Sequence, residues 1–116
     1  MEVALSEGRI ETLYRRLKEY EKLGFFATEE GKILALVHVF TRENIEKGEE
    51  LEKIAEEVAK LEEVEEVDIL TGEWDLLVRV KVDNLRELAH FVVNKLRRIS
   101  GVEKTITSIV LRRISK

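Results

Sequence analysis

The chain has 116 residues, of which 44% are hydrophobic and 38% are charged, and its formal net charge is −4. This length and composition predict one folded domain with a two-layer core rather than a disordered chain. The absence of cysteine excludes disulfides, thiolate metal ligands and thiol nucleophiles. The sequence has neither a basic-apolar leader nor an apolar run long enough to span a membrane, so we expect a cytoplasmic protein without membrane contact.

Residues 6–23 repeat apolar side chains at a nearly helical period and predict an amphipathic helix that begins at Ser6 and ends at Gly24. Basic residues on this helix are candidates for contacts with DNA: Arg9, Arg15, Arg16 and Lys18. A helix-turn-helix needs a positioning helix before the recognition helix, and only five residues precede Ser6. We therefore favour packing of this helix on the domain body or on a partner, with DNA binding as the alternative.

The remaining elements follow in a regular order. The run 33–40 is almost unbroken apolar and predicts a strand buried on both faces. A second helix comes next, with its apolar stripe between residues 51 and 61. In residues 64–71 and again in residues 74–82, side chains of different character alternate along the chain. The two segments are separated by a short turn with a glycine, and together they predict a β-hairpin. A third helix then begins at residue 83 or 84 and stops at Gly101. A final strand over 105–114 completes the chain.

This order of elements, β-α-β-β-α-β, predicts a ferredoxin-like α+β domain over residues 32–116, preceded by an N-terminal helix and turn over residues 1–31. Such a domain has a four-stranded antiparallel sheet with both helices on one face. Both alternating sets of the first strand are apolar, so one set is expected on the face without helices: Leu34, Leu36, His38 and Phe40. An exposed apolar face of this kind predicts a dimer interface. Phe91, outside the apolar stripe of the third helix, is a further interface candidate.

The turn between the hairpin strands carries the richest chemistry of the sequence: Thr71, Gly72, Glu73, Trp74 and Asp75. Backbone N–H groups at a glycine turn can bind a carboxylate, and an acidic side chain can bind an ammonium group. These two groups are the two ends of an α-amino acid, and Trp74 offers an apolar wall. The alternative is a plain hairpin turn in which Asp75 bonds nearby backbone. Both readings remain open on the pattern alone.

Other candidate sites have simpler explanations. His38 and His90 are the only histidines, and neither has the neighbours in sequence that a catalytic triad or a metal site needs. The paired glutamates between residues 49 and 66 are read as solvated faces rather than a cation site. We therefore expect no metal and no cofactor. An enzyme with a pocket on the sheet face would have to use His38, Asp75 and Arg79, and is the weaker alternative to a non-enzymatic protein.

From residue 33 to residue 114 the sequence resembles the effector-binding domain of the Lrp/AsnC, or feast/famine, transcriptional regulators, often called the RAM domain. The matching segments are the apolar strand 33–39, Val-Glu-Glu-Val at 64–67, the turn and strand 71–78, the helix end 94–102 and the strand 105–111. Their order and spacing carry the resemblance over about 80 residues. Trp74 stands where this family more often has Tyr or Phe.

The resemblance implies dimers that form by sheet-to-sheet packing and assemble further into rings such as octamers. It also implies small effectors, usually amino acids, bound where dimers meet. The family's turn and its last strand contribute to that pocket, and the corresponding residues here are Gly72, Glu73, Trp74, Asp75, Thr105 and Thr107. Family members carry a complete helix-turn-helix before this domain. Residues 1–31 resemble only its last helix and the start of its wing, which leaves DNA binding by this chain open.

Overall fold

The computed structural model describes residues 2–3, 15–16, 19, 32–42, 49–71 and 75–116. Its strands are β1 (Glu2–Val3), β2 (Ile33–Thr41), β3 (Val64–Ile69), β4 (Leu76–Val82) and β5 (Val102–Ile109). They form one antiparallel sheet in the order β1-β5-β2-β4-β3. The predicted ferredoxin-like fold is confirmed, and β1 adds a short strand that the sequence did not indicate.

The two helices of the domain differ in regularity. Helix α1 (Glu49–Ala59) is α-helical throughout. Helix α2 (Leu85–His90) continues through a π-helical turn (Phe91–Lys95) and a 3₁₀ turn (Leu96–Arg98). Asn84 is its N-cap, because its Oδ1 accepts a hydrogen bond from the Glu87 backbone N–H at 2.9 Å. The Glu87 Oε2 accepts in turn from the Asp83 backbone N–H at 3.0 Å.

Strand β5 begins and ends earlier than the predicted range 105–114. Gly101 has a φ of 100°, which turns the chain sharply enough for pairing with β2 to begin at Val102. At the other end, the Val110 backbone N–H still donates to the Leu34 carbonyl oxygen at 2.9 Å. Strand β5 itself ends at Ile109, which pairs with Ala35 of β2.

The core lies between the sheet and the two helices. Ala35, Val37 and Val39 of β2 are fully buried and pack in one cluster with alternate residues of β4 and with both helices. Phe91 is fully buried in the same cluster, so its predicted place in an interface is wrong. Leu88 and Phe91 are both buried, so the buried face of this helix is wider than the predicted apolar stripe.

An ion pair joins the end of the π-helical turn to the α1–β3 connection. Lys95 Nζ lies 2.7 Å from Glu63 Oε2, and the Glu63 side chain is only 15% exposed. Burial opposes ionisation of Glu63, but the hydrogen bond and the charge of Lys95 outweigh it, so the pKa of Glu63 is lower than its ordinary value. The other oxygen, Oε1, is buried and has no hydrogen-bond partner among the described residues. The ion pair therefore links helix α2 and its continuation through Arg98, together named the C-terminal helix, to the connection that precedes β3.

Candidate effector site

Asp75 joins the hairpin to the end of the neighbouring strand β2. Its backbone N–H donates to the Val39 carbonyl at 3.0 Å, and its own carbonyl accepts from the Leu70 N–H at 2.9 Å. Its carboxylate oxygen Oδ2 accepts two hydrogen bonds from Thr41, one from the backbone N–H and one from the hydroxyl, each at 2.8 Å. The half-buried Asp75 therefore has a fixed position and does not simply bond its own turn.

The strand that Asp75 contacts is irregular at the same point. Phe40 pairs with Lys104 and Thr41 with Val102, so Glu103 is an extra residue and forms a β-bulge. Bulges of this kind change the direction of the side chains beside them and are frequent next to binding sites. Just beyond, the Arg42 guanidinium donates to the Ser100 hydroxyl at 3.3 Å. The end of β2 thus brings together polar groups from three distant parts of the chain.

Thr105 and Thr107 lie on β5, on the other side of β2 from Asp75. Thr105 pairs with Val39 and Thr107 with Val37, so both project to the helix-covered face. Strand β2 separates β5 from β4, which places about 10 Å between the outer strands. Thr105 is half-buried, whereas Thr107 is 1% exposed and its hydroxyl has no partner among the described residues. Asp75 and Thr105 therefore flank one end of the sheet without direct contact.

The other predicted effector residues, Gly72, Glu73 and Trp74, lie outside the residues that the structure describes. The same holds for Arg9 and Lys18 of the predicted basic helix. Arg15 and Arg16 have helical backbone, and both are exposed.

The second face of the sheet carries the predicted dimer residues. Leu34 is 5% exposed, and Leu36, His38 and Phe40 are half-buried in the single chain. Strand pairing places Leu77 and Ile106 on either side of His38, which extends the apolar surface across three strands. The His38 ring nitrogen Nε2 lies 3.5 Å from the Ser108 hydroxyl. Lys104 Nζ lies 5.3 Å from the centre of the Phe40 ring, a cation–π contact.

The three residues of the enzyme alternative do not converge. His38 lies near Ser108, the Asp75 carboxylate is bonded to Thr41, and Arg79 Nε lies 3.7 Å from Glu66 Oε2. Across the described ranges, no three acidic or histidine side chains are grouped as metal ligands. Within the same part of the chain, no helix is long and apolar enough to cross a membrane.

The sequence made Asp75 a candidate site residue but gave no sign of its hydrogen-bond partner, Thr41. The two residues are 34 positions apart, and a threonine at the end of a strand is too common to indicate a specific contact. The sheet register alone brings them together. The Glu63–Lys95 pair was missed for the same reason, because its members are 32 positions apart.

Residues 34–116 match the sequence family of Lrp/AsnC ligand-binding domains. The chain belongs to the Lrp/AsnC family. An uncharacterised HTH-type transcriptional regulator of Pyrococcus furiosus is 35% identical over 105 residues, which cover 90% of this chain and 64% of that protein. Another from Pyrococcus abyssi is 46% identical over 57 residues, covering 49% of this chain and 38% of the relative. The matched regions are therefore less than two thirds of these relatives' lengths.

Solved structures of Lrp/AsnC-type regulators have the same fold. A transcriptional regulator of Neisseria meningitidis, crystallised as a complex with L-Met, superposes with a TM-score of 0.64 at 27% identity and covers 90% of this chain and 72% of its own. Escherichia coli AsnC gives a TM-score of 0.63 at 20% identity, covering 91% of this chain and 75% of its own. The chain thus carries the ligand-binding domain of a family of transcriptional regulators.

Proposed function

We propose that this Lrp/AsnC domain is an amino-acid-responsive, non-enzymatic regulatory module of the cytoplasm. The effector binds at the turn 71–75, and Thr105 of a neighbouring subunit completes the site. The dimer interface is formed by Leu34, Leu36, His38 and Phe40. Dimers assemble further into an octamer-like ring. The likeness to the L-Met complex of the Neisseria regulator supports an amino acid as the effector class.

The observation that carries this proposal is the fixed carboxylate of Asp75. Thr41 occupies Oδ2 with two hydrogen bonds, and no hydrogen bond within the described part of the chain reaches Oδ1. A carboxylate that is fixed in place and has one oxygen without a hydrogen bond is suited to bind an ammonium group, because the orientation of the anion is set before the ligand arrives. The position of Asp75 on the hairpin, at one end of the sheet, suits a pocket shared between subunits.

Thr105 and Thr107 are assigned different roles. Thr105 is half-buried and so keeps part of its surface open at the end of the sheet, whereas Thr107 is enclosed in the single chain. We therefore assign effector contact to Thr105 and regard direct contact by Thr107 as the weaker form of the prediction.

Calorimetry of the full chain against the twenty common amino acids tests the proposal. We expect at least one to bind, and the Asp75→Asn variant, which keeps an acceptor for Thr41 but removes the charge, to bind it roughly tenfold or more weakly. The Thr41→Val variant is the matched control, since it disturbs the same contact and leaves the carboxylate charged. Absence of binding by every amino acid, or equal binding by Asp75→Asn, would contradict the assignment.

A second function, DNA binding through the N-terminal basic helix, is favoured by the exposed and helical Arg15 and Arg16. The HTH-type relatives point in the same direction. A gel-shift series over increasing salt would show affinity falling steeply with salt concentration, because each phosphate contact releases counterions. Loss of binding in an Arg15→Ala, Arg16→Ala variant is the expected result. No binding even at low salt would remove this function.

A further inference from the structure

Arg42 lies directly after the residue that fixes Asp75. It follows Thr41, whose backbone N–H and hydroxyl each donate to the Asp75 carboxylate at 2.8 Å. The backbone N–H of Arg42 donates to the Gly101 carbonyl oxygen at 3.2 Å, so its main chain is joined to the turn that precedes β5. Consecutive Cα atoms are about 3.8 Å apart. A basic side chain therefore starts from a fixed position close to the carboxylate that we assign to the effector.

The fold makes little use of the Arg42 guanidinium. The side chain is exposed, and its hydrogen bond within the described part of the chain goes from Nη2 to the neutral hydroxyl of Ser100, at 3.3 Å. A guanidinium has five N–H donors in a planar fork, and it binds a carboxylate through two parallel hydrogen bonds. Arg42 therefore keeps the donors that a carboxylate needs.

Asp75 and Arg42 both adjoin Thr41, but their charges do not neutralise each other. The Asp75 carboxylate accepts from Thr41, whereas the Arg42 guanidinium donates to Ser100, beyond the end of the C-terminal helix. Neither residue takes part in the ion pairs of the described ranges. Because the two charges stay separate, one ligand that carries both an ammonium group and an anionic group can bind to both of them.

The described charged residues around Arg42 favour an anion at this position. Arg97 and Arg98 lie in the 3₁₀ turn shortly before Gly101, and Glu103 and Lys104 follow it on β5; all four are exposed. Together with Arg42, they make four basic residues and one acidic residue near this turn. The local potential is therefore positive, which attracts an anionic group and repels a cationic one.

We infer that the effector is an amino acid with an acidic side chain, aspartate or glutamate, and that Arg42 binds its side-chain carboxylate. This inference rests on the proposed function, in which Asp75 binds the ammonium group. The two charged groups of such a ligand are only a few bonds apart, which suits two residues that both adjoin Thr41.

Other side chains suit Arg42 less well. A neutral amide cannot form the charged, two-bonded pair with a guanidinium. An apolar side chain would take water from the guanidinium without supplying a counter-charge, which costs free energy. Arg42 is therefore assigned as the residue that sets the specificity of the site.

Calorimetry of the full chain with two pairs of ligands tests the inference: aspartate against asparagine, and glutamate against glutamine. We expect at least one acid to bind roughly tenfold or more tightly than its amide, because the amide loses the charged hydrogen bonds. In the Arg42→Gln variant, the acid and its amide should bind with nearly equal affinity. The change in this ratio separates a contact with the side chain from a general loss of binding.

Arg97→Gln is the matched control, since it removes an exposed positive charge near the same turn without removing the assigned contact. It should keep the preference for the acid, and circular dichroism melting shows whether both variants are folded. Amides that bind as tightly as the acids, or a preference that survives in folded Arg42→Gln or is lost equally in Arg97→Gln, would overturn the inference. If a neutral amino acid binds and aspartate and glutamate do not, this inference fails and the proposed function stands. If no amino acid binds, both fail.

Discussion

The carboxylate of Asp75 has two oxygens, and the fold uses one of them. Oδ2 holds the N–H and the hydroxyl of Thr41, so the hairpin and β2 keep a fixed relation at the end of the sheet. A binding residue that is also held by the scaffold needs little reorganisation when the ligand arrives, which lowers the cost of binding. In this account, Asp75 has both a structural and a functional role.

The two threonines of β5 give a residue-level prediction with a matched pair of variants. Thr107→Val removes a buried hydroxyl that lacks a partner in the described structure, so we expect the free energy of unfolding to rise by about 1 kcal/mol. Its effect on effector affinity should be small. Thr105→Val should leave stability nearly unchanged and weaken effector binding about tenfold. Urea unfolding and calorimetry measure the two effects, and the opposite pattern would assign the pocket to Thr107.

Among the secondary-structure elements, the C-terminal helix depends on its cap. Asn84→Ala removes the side-chain acceptor of the Glu87 N–H, and we expect it to lower the free energy of unfolding by about 1 kcal/mol in urea melts. Arg86→Ala, an exposed substitution in the first turn of the same helix, is the control and should change stability much less. An equal loss in both variants would mean that the cap does not stabilise the helix.

The Glu63–Lys95 pair makes the anchoring of this helix depend on pH. The pKa of Glu63 is lower in the folded chain than its ordinary value of 4.5, so the folded state favours the charged carboxylate. This contribution is complete above about pH 4.5 and is lost as the pH falls through the lowered pKa of Glu63. Urea melts between about pH 3 and pH 7 should show a smaller loss of stability on acidification for Glu63→Gln than for wild type. Identical slopes would contradict this role of the pair.

The order of elements was predictable because each has its own period in the sequence. The alternation of side chains in residues 74–82 and the helical spacing of apolar residues in 51–61 are local signals. They were enough to predict β4 and α1. The ends of β5 and the burial of Phe91 depend on partners elsewhere in the chain, which no local pattern contains. The candidate site divides in the same way, since the turn chemistry of Asp75 is visible in the sequence but its contact with Thr41 is not.

At the scale of the whole domain, the described sheet has one face covered by the helices and one partly exposed apolar face. A dimer through Leu34, Leu36, His38 and Phe40 would cover the apolar face, and further assembly of dimers would bring the hairpin turns of different copies close together. A ligand that binds between copies favours the assembled state, because the complete site exists only there. In this account, effector binding and association are one coupled equilibrium.

Sedimentation velocity of the full chain, with and without the amino acid that calorimetry identifies, tests this coupling most directly. The account predicts that the amino acid changes the distribution of dimers and larger species, and that the Asp75→Asn variant needs a roughly tenfold higher concentration of the amino acid for the same change. Tight binding of an amino acid with an identical distribution of species in its presence and absence would contradict a site shared between subunits.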